Sequence, residues 1–313
     1  MIQKLFNIKY PIIQGAMANI ATAKFAAVVS NSGGLGIIAT GAMNAQQARE
    51  AIQQCKQLTK NPFGVNVMLM NPHAEEIIQV ICEEKVEVVT TGAGNPGAYV
   101  KQLKESGCKI VPVVPSVALA IRMERNDVDA IIVEGTEAGG HVGEITTMAL
   151  LPQVVDAIKL PVIAAGGIAD GRGFNAALSL GAQGVQIGTC LLVSEECEIH
   201  ENYKNAVVKA KDTDTIVTGR SAGVPVRILK NKMSKAYLKL EQENASKEEL
   251  EKLTLGALRK AVFDGDIENG SVMIGQIAGM CKERKTVKEI LEQMISEALV
   301  EQKKLAFKLE ELV

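Results

Sequence analysis

Of the chain's three histidines, only His141 stands in a run suited to chemistry, the segment EGTEAGGHVGE from Glu134 to Glu144. An imidazole exchanges protons near neutral pH, and flanking glycines would let it lie against a flat ligand. His73 follows Asn71 and Pro72 at an expected helix start, and His200 lies in a charged segment, where a lone histidine is ordinarily bonded into the structure. Glu134 and Glu137 read as solvated carboxylates. No carboxylate pair shows glycosidase spacing, and no serine stands in G-x-S-x-G. A site so short of protein nucleophiles would need a bound cofactor to carry the reaction.

Two glycine-rich runs suggest what it would hold: AAGGIADG from Ala164 to Gly171 and GVQIGT from Gly184 to Thr189. Each alone reads equally as a tight turn. Placed at the ends of successive strands, they suit a phosphate held by bare amides and a helix N-terminus. A third run, GAGNPG from Gly92 to Gly97, matches G-x-G-x-x-G. The next strand ends at Val114 without the acidic residue a dinucleotide ribose needs, so a Rossmann site is not expected. Gln14 to Met17, Asn66, Thr90 and Thr91 offer further groups at strand ends.

Short apolar runs recur at Ile12–Gly15, Leu35–Ala39, Gly64–Met68, Val86–Thr91, Lys109–Val114, Ala130–Glu134, Val162–Ala165 and Val185–Gly188. Continuous rather than alternating hydrophobicity predicts parallel strands buried on both faces. Helices are expected between them. Asn44 is placed to cap 45–58, Ser116 to cap 117–126 and Asp170 to cap a helix reaching Leu180, with Asn71-Pro72 and Asn95-Pro96 as further starts. Eight such repeats within residues 1–193 predict an α/β fold, a TIM-type (β/α)8 barrel, over an open doubly wound sheet.

Beyond residue 193 the composition turns charged and helical. Residues 194–285 are expected to form a mostly helical subdomain beside the barrel mouth, without further buried strands. Residues 286–313 are expected to form a helix packing back on the barrel, opened by a capping box at Thr286 and Glu289, with a stripe from Val287 to Leu299.

The 313 residues are 47% apolar, with a net charge of −2 and 3% aromatics. There is neither a basic surplus nor a stacking platform for nucleic acid, and no uninterrupted membrane span. Met1–Tyr10 shows no secretory signal, and six unpatterned cysteines suit reduced thiols in the cytoplasm rather than a metal site.

Seven blocks resemble the nitronate monooxygenase superfamily of FMN barrels: IIQGAM at 12–17, GGLG at 33–36, PFGVN at 62–66, TTGAGNP at 90–96, EAGGH at 137–141, AAGGIAD at 164–170 and GSVMIGQ at 270–276. Within it, the chain is most similar to FabK-type enoyl-acyl-carrier-protein reductases. The resemblance implies that Gly166, Gly167, Gly188 and Thr189 hold the FMN phosphate. It places Ala16, Met17 and Asn66 beside the flavin ring, and Glu134 and Gln186 near the ribityl chain or ring edge. Gly15, Thr91, Gly140 and Ala165 complete the cofactor set, and His141 faces the flavin.

It further implies hydride transfer from NADH or NADPH through flavin N5 to C3 of a trans-2-enoyl thioester on acyl carrier protein, in a homodimer. His141 would supply the proton to C2 or polarise the thioester carbonyl. In the monooxygenase branch it would deprotonate a nitroalkane, with oxygen as acceptor. Asn19, Cys190 and Val224 stand where relatives commonly carry tryptophan, arginine and histidine. Those departures bear on substrate preference, and they also fit a flavin-binding barrel that has lost catalysis.

Overall fold

The apolar runs become strands because their β-branched side chains are covered on both faces, by the barrel interior and by helices. The computed structural model describes residues 1–312. Its strands are β1 (Ile12–Gln14), β2 (Gly36–Ala39), β3 (Phe63–Met68), β4 (Val88–Gly92), β5 (Lys109–Val114), β6 (Ile131–Glu134), a two-residue β7 (Gly140–His141), β8 (Val162–Ala165) and β9 (Gly184–Ile187). All but β7 lie in one parallel sheet, ordered β1-β9-β8-β6-β5-β4-β3-β2. The ends of that order meet. Ile13 bridges Leu35, and the Leu35 amide donates to Ile12 O at 2.9 Å. One step on, the Ile37 amide donates to the buried Gln14 side chain at 3.3 Å. The sheet therefore closes as a barrel.

One end of the barrel is plugged. Helix α1 (Ile2–Phe6) sends Ile2 and Phe6 into an interior core with Ile13, Leu35, Ile37, Val88, Val111, Ile132 and Ile163. The outer layer comprises α2 (Ala23–Asn31), α3 (Ala45–Leu58), α4 (Ala74–Glu83), α5 (Val100–Glu105), α6 (Val117–Glu124), α7 (Thr147–Ala157) and α8 (Gly171–Ser179). Asn44, Ser116 and Asp170 cap their helices as the sequence predicts, and Asn95 accepts from Gly97 N ahead of α5. Asn71 Oδ1 likewise accepts from His73 N at 2.9 Å just ahead of α4, while its amide donates to the carbonyls of Thr40, Gly41 and Met43 and so ties the helix start to the loop after β2.

After β9 the chain forms α9 (Thr189–Leu192), α10 (Glu201–Lys209), β10 (Thr215–Thr218), β11 (Val226–Leu229), α11 (Lys232–Gln242), α12 (Lys247–Thr254), α13 (Ala257–Arg259) and α14 (Val287–Glu310). The region is mostly helical, but the β10–β11 hairpin corrects the expectation of no further strands. These four-residue strands are too short for a periodic signal, and they become a sheet by pairing with β7. No helix among the described residues is long and apolar enough to cross a membrane.

Helix α14 opens with the expected capping box and lies against α8, burying Val287, Leu291, Met294 and Ala298. Leu299 instead faces solvent, since it is rotated by one position from Ala298. The contact is close because Gly171 has no side chain: a Cβ there would sit 2.3 Å from Ala298 N. Gly171 N also donates to Glu297, and Asn175 to Ala298 O. Replacing Gly171 with alanine is expected to push α14 outward and cost about 1–3 kcal/mol, measured by urea unfolding. Unchanged stability would contradict this packing.

Candidate active site

Strand alternation decides which side chains reach the open end of the barrel. Register pairs Ala39 with Asn66, Asn66 with Thr90, Glu134 with Ala165, and Ala165 with Gln186. Ala39, Thr90, Glu134 and Ala165 lie two positions beyond Ile37, Val88, Ile132 and Ile163 of the interior core, and Asn66 and Gln186 are their register partners, so together they form the last inward-facing layer before the mouth. Asn66 donates to the Thr90 hydroxyl at 3.0 Å. Ala165, almost side-chain-free, leaves room between Glu134 and Gln186.

Thr91 has the opposite parity. It follows Thr90, so its side chain turns towards the helix layer with Val89, and its buried hydroxyl has no partner among the described residues. It cannot contact a ligand in the mouth through that side chain. Thr90, which the sequence offered beside it, has the inward position.

The glycine-rich ends lie next to this layer. Gly166 and Gly167 have φ of +86° and +79°, a conformation that side chains disfavour. The amides of Gly166, Gly167, Gly188 and Thr189 donate to no protein acceptor among the described residues. Unbonded amides at the ends of two neighbouring strands, here β8 and β9, suit an anion. The first turn of α8 contributes less than the sequence suggests, because Asp170 already accepts from Arg172 N and Gly173 N. Across the rim, a Cβ on Gly188 would lie 3.7 Å from Met17 Sδ, and Gly15 N donates to Ile187 O at 2.7 Å. Gly15, Met17 and Gly188 thus share one edge of the mouth, with Ala16 exposed beside them.

The connection from β6 to α7 carries His141. Glu137 is not solvated: both its oxygens accept from Thr147 N at 2.9 Å, where a carboxylate also meets the positive end of α7. Thr147 Oγ1 donates to Gly166 O at 2.9 Å, tying this loop to the glycine-rich end of β8. Gly139 lies against the Ile274–Gly275 backbone, where a Cβ would come within 2.6 Å. Gly275 N in turn donates to Thr189 Oγ1 at 2.8 Å. Gly140, at φ +78°, then turns the chain into β7 opposite β11.

His141 emerges accessible to solvent, yet surrounding protein lowers its pKa below the ordinary histidine value by desolvation alone. Its ring has no charged or hydrogen-bonding partner shifting it, which suits a group kept for a ligand. Thr147 and the bond from Gly275 to Thr189 were not found from sequence. Only register and chain crossing bring them here.

Met233 and Ile274 are core side chains. Arg220 pairs with Glu144 and Arg227 is buried, so neither offers a free cationic face.

Glu134 is only partly solvated. It faces the barrel interior, and burial pushes its pKa up to about 7 from 4.5. The folded protein therefore holds this proton more tightly than the unfolded chain does. Stability from this group is full below pH 4.5 and is lost as pH rises through about 7. Allowing for partial solvent access, the loss is about 2 kcal/mol. Relative to wild type, Glu134→Gln should gain stability by that amount between those pH values in urea unfolding. A pH-independent difference would show that Glu134 ionises normally.

The family model for nitronate monooxygenase matches residues 1–297. A probable nitronate monooxygenase from Staphylococcus aureus is 36% identical, over 87% of this chain and 90% of its own length. The structure of FabK from Thermotoga maritima is 46% identical, with a TM-score of 0.95 over 100% of this chain and 98% of that one. A nitroalkane oxidase from Streptomyces ansochromogenes is 26% identical, with a TM-score of 0.87 over 97% of this chain and 99% of that one. A whole-length match of sequence and barrel leaves one assignment: the chain belongs to the nitronate monooxygenase family.

Proposed function

We propose that the protein reduces trans-2-enoyl thioesters carried on acyl carrier protein, with FMN at the barrel mouth and NADH or NADPH as electron source. The observation that carries this reading is the 46% identity to FabK along the whole chain, against 36% to the curated monooxygenase relative. The residues present fit FMN. Gly166, Gly167, Gly188 and Thr189 offer unbonded amides to its phosphate. Ala16, Met17 and Asn66 would flank the ring, with Glu134 and Gln186 near the ribityl chain or ring edge.

When bound, FMN supplies two-electron transfer from the nicotinamide to C3 of the substrate. C2 then requires a proton, and the thioester carbonyl carries the charge that develops on the way. His141 can act at either point. Its lowered pKa keeps the ring neutral at pH 7, which favours an N–H donated to the carbonyl oxygen over proton loss from an imidazolium. Glu134, ionising near neutrality, could donate a hydrogen bond from a position where an exposed glutamate could only accept.

A nitronate monooxygenase is the second reading, supported by the family model and the curated relatives. A neutral His141 would serve there as the base for a nitroalkane. Both readings place the protein among flavin oxidoreductases. The resemblance to FabK-type reductases also leads to a cytoplasmic homodimer, a state that sedimentation would check.

The purified protein should be yellow from bound flavin. Mixed anaerobically with NADH or NADPH, the colour should bleach, and crotonyl thioester should restore it. Bleaching by nitronates alone would overturn the reductase reading. His141→Ala is expected to lower turnover of the thioester by about 10²-fold or more without loss of flavin. His141→Gln, which keeps an N–H donor, should recover part of that loss if the ring polarises the carbonyl.

A further inference from the structure

We infer that Arg227 is a positioning residue: its side chain braces the loop that presents His141. The inference rests on the role of His141 proposed above. On β11, the backbone of Arg227 is paired with Gly140, and its neighbour Val226 with His141. The Arg227 side chain does not stay on its own strand. Nε donates to Thr136 O at 3.1 Å, on the opposite arm of the same loop, while Nη1 donates to Thr215 Oγ1 on β10 at 3.1 Å. One residue thus grips both arms, one through the ladder and one through the guanidinium.

The rest of the loop shows why this matters. Gly135 O accepts from Ala138 N and Glu137 O from Gln276 N, so each arm carbonyl before Ala138 has a donor. Thr136 O takes its donor from Arg227. Without it, a backbone acceptor inside the turn loses its bond, and the turn can drift relative to β7. The carbonyl is fixed from outside the loop, so local sequence cannot restore it.

Stability does not account for this arrangement. Arg227 is only 6% exposed, no carboxylate hydrogen-bonds to it among the described residues, and burial and the Arg220 charge outweigh the favourable charge of Glu137, lowering its pKa. A guanidinium withdrawn from water without a bonded carboxylate gives a fold little that a well-packed apolar side chain of similar length would not. What methionine cannot do is donate to Thr136 O. The planar fork satisfies two acceptors at fixed angles, which suits alignment.

The test compares Arg227→Met and Arg227→Lys with wild type, using the flavoprotein as purified. Arg227→Met should lower kcat for the enoyl thioester about tenfold or more, with KM changing less than about threefold, because misplacing a reacting group affects the transition state first. Arg227→Lys can reach one acceptor and should recover part of kcat. Amide exchange followed by mass spectrometry should rise about tenfold across residues 135–142 in Arg227→Met and stay unchanged in β8.

Wild-type kcat and wild-type exchange in Arg227→Met would overturn the brace. So would faster exchange throughout the barrel, since Arg227 would then serve general stability. If His141→Ala turns over like wild type, the proposed reaction role fails, and the exchange pattern still decides whether Arg227 holds the loop.

Discussion

Everything at the mouth depends on backbones approaching more closely than any Cβ would allow. Gly166 sits where a side chain would come within 2.9 Å of Gly135 O, and Gly275 where one would lie 2.7 Å from Glu137 O. Three segments far apart in sequence therefore meet main chain to main chain: the β6–α7 connection, the end of β8, and the stretch before α14. Close contact of this kind leaves amides unshielded by side chains. The donors at Gly166, Gly167, Gly188 and Thr189 stay free because no neighbouring carbonyl takes them.

The barrel contributes an asymmetry. Its N-terminal end is filled by Ile2 and Phe6, and a Cβ on Gly184 would come within 2.4 Å of Ile2. Its other end stops at a layer of small and polar side chains. A ligand can enter only from there, next to the glycine-rich ends and His141. The polar layer is incompletely paired, and Glu134 in particular faces the interior without a cation, so its proton affinity rises.

The region after β9 does more than cover the barrel. Through β11 it supplies the strand that pairs with β7, and through Gly275 and Gln276 it bonds to Thr189 and Glu137. The His141 loop is thereby held by chain that lies far along the sequence. This arrangement explains how a long βα loop, with four glycines among Gly135, Gly139, Gly140 and Gly143, adopts one conformation. Loops of that composition are otherwise costly to order.

Much of this was readable from residues alone. Apolar runs on a regular spacing, broken by capping residues, dictate parallel strands and helices, because burial on both faces and satisfied helix ends are local requirements. The two glycine-rich strand ends and the isolated His141 were legible for the same reason. Parity was not. That Thr90 faces inward and Thr91 outward depends on where β4 enters the barrel, which neighbouring strands decide. Likewise the Asn71 amide found three carbonyls of a distant loop, and Glu137 found Thr147 instead of water. The β10–β11 hairpin exists because β7 is there to pair with it. Sequence determined which groups could form strands, caps and an anion site, since those depend on neighbours a few residues away. Tertiary structure decided which polar groups stay unpaired at the mouth, since pairing depends on what distant chain comes within hydrogen-bonding distance.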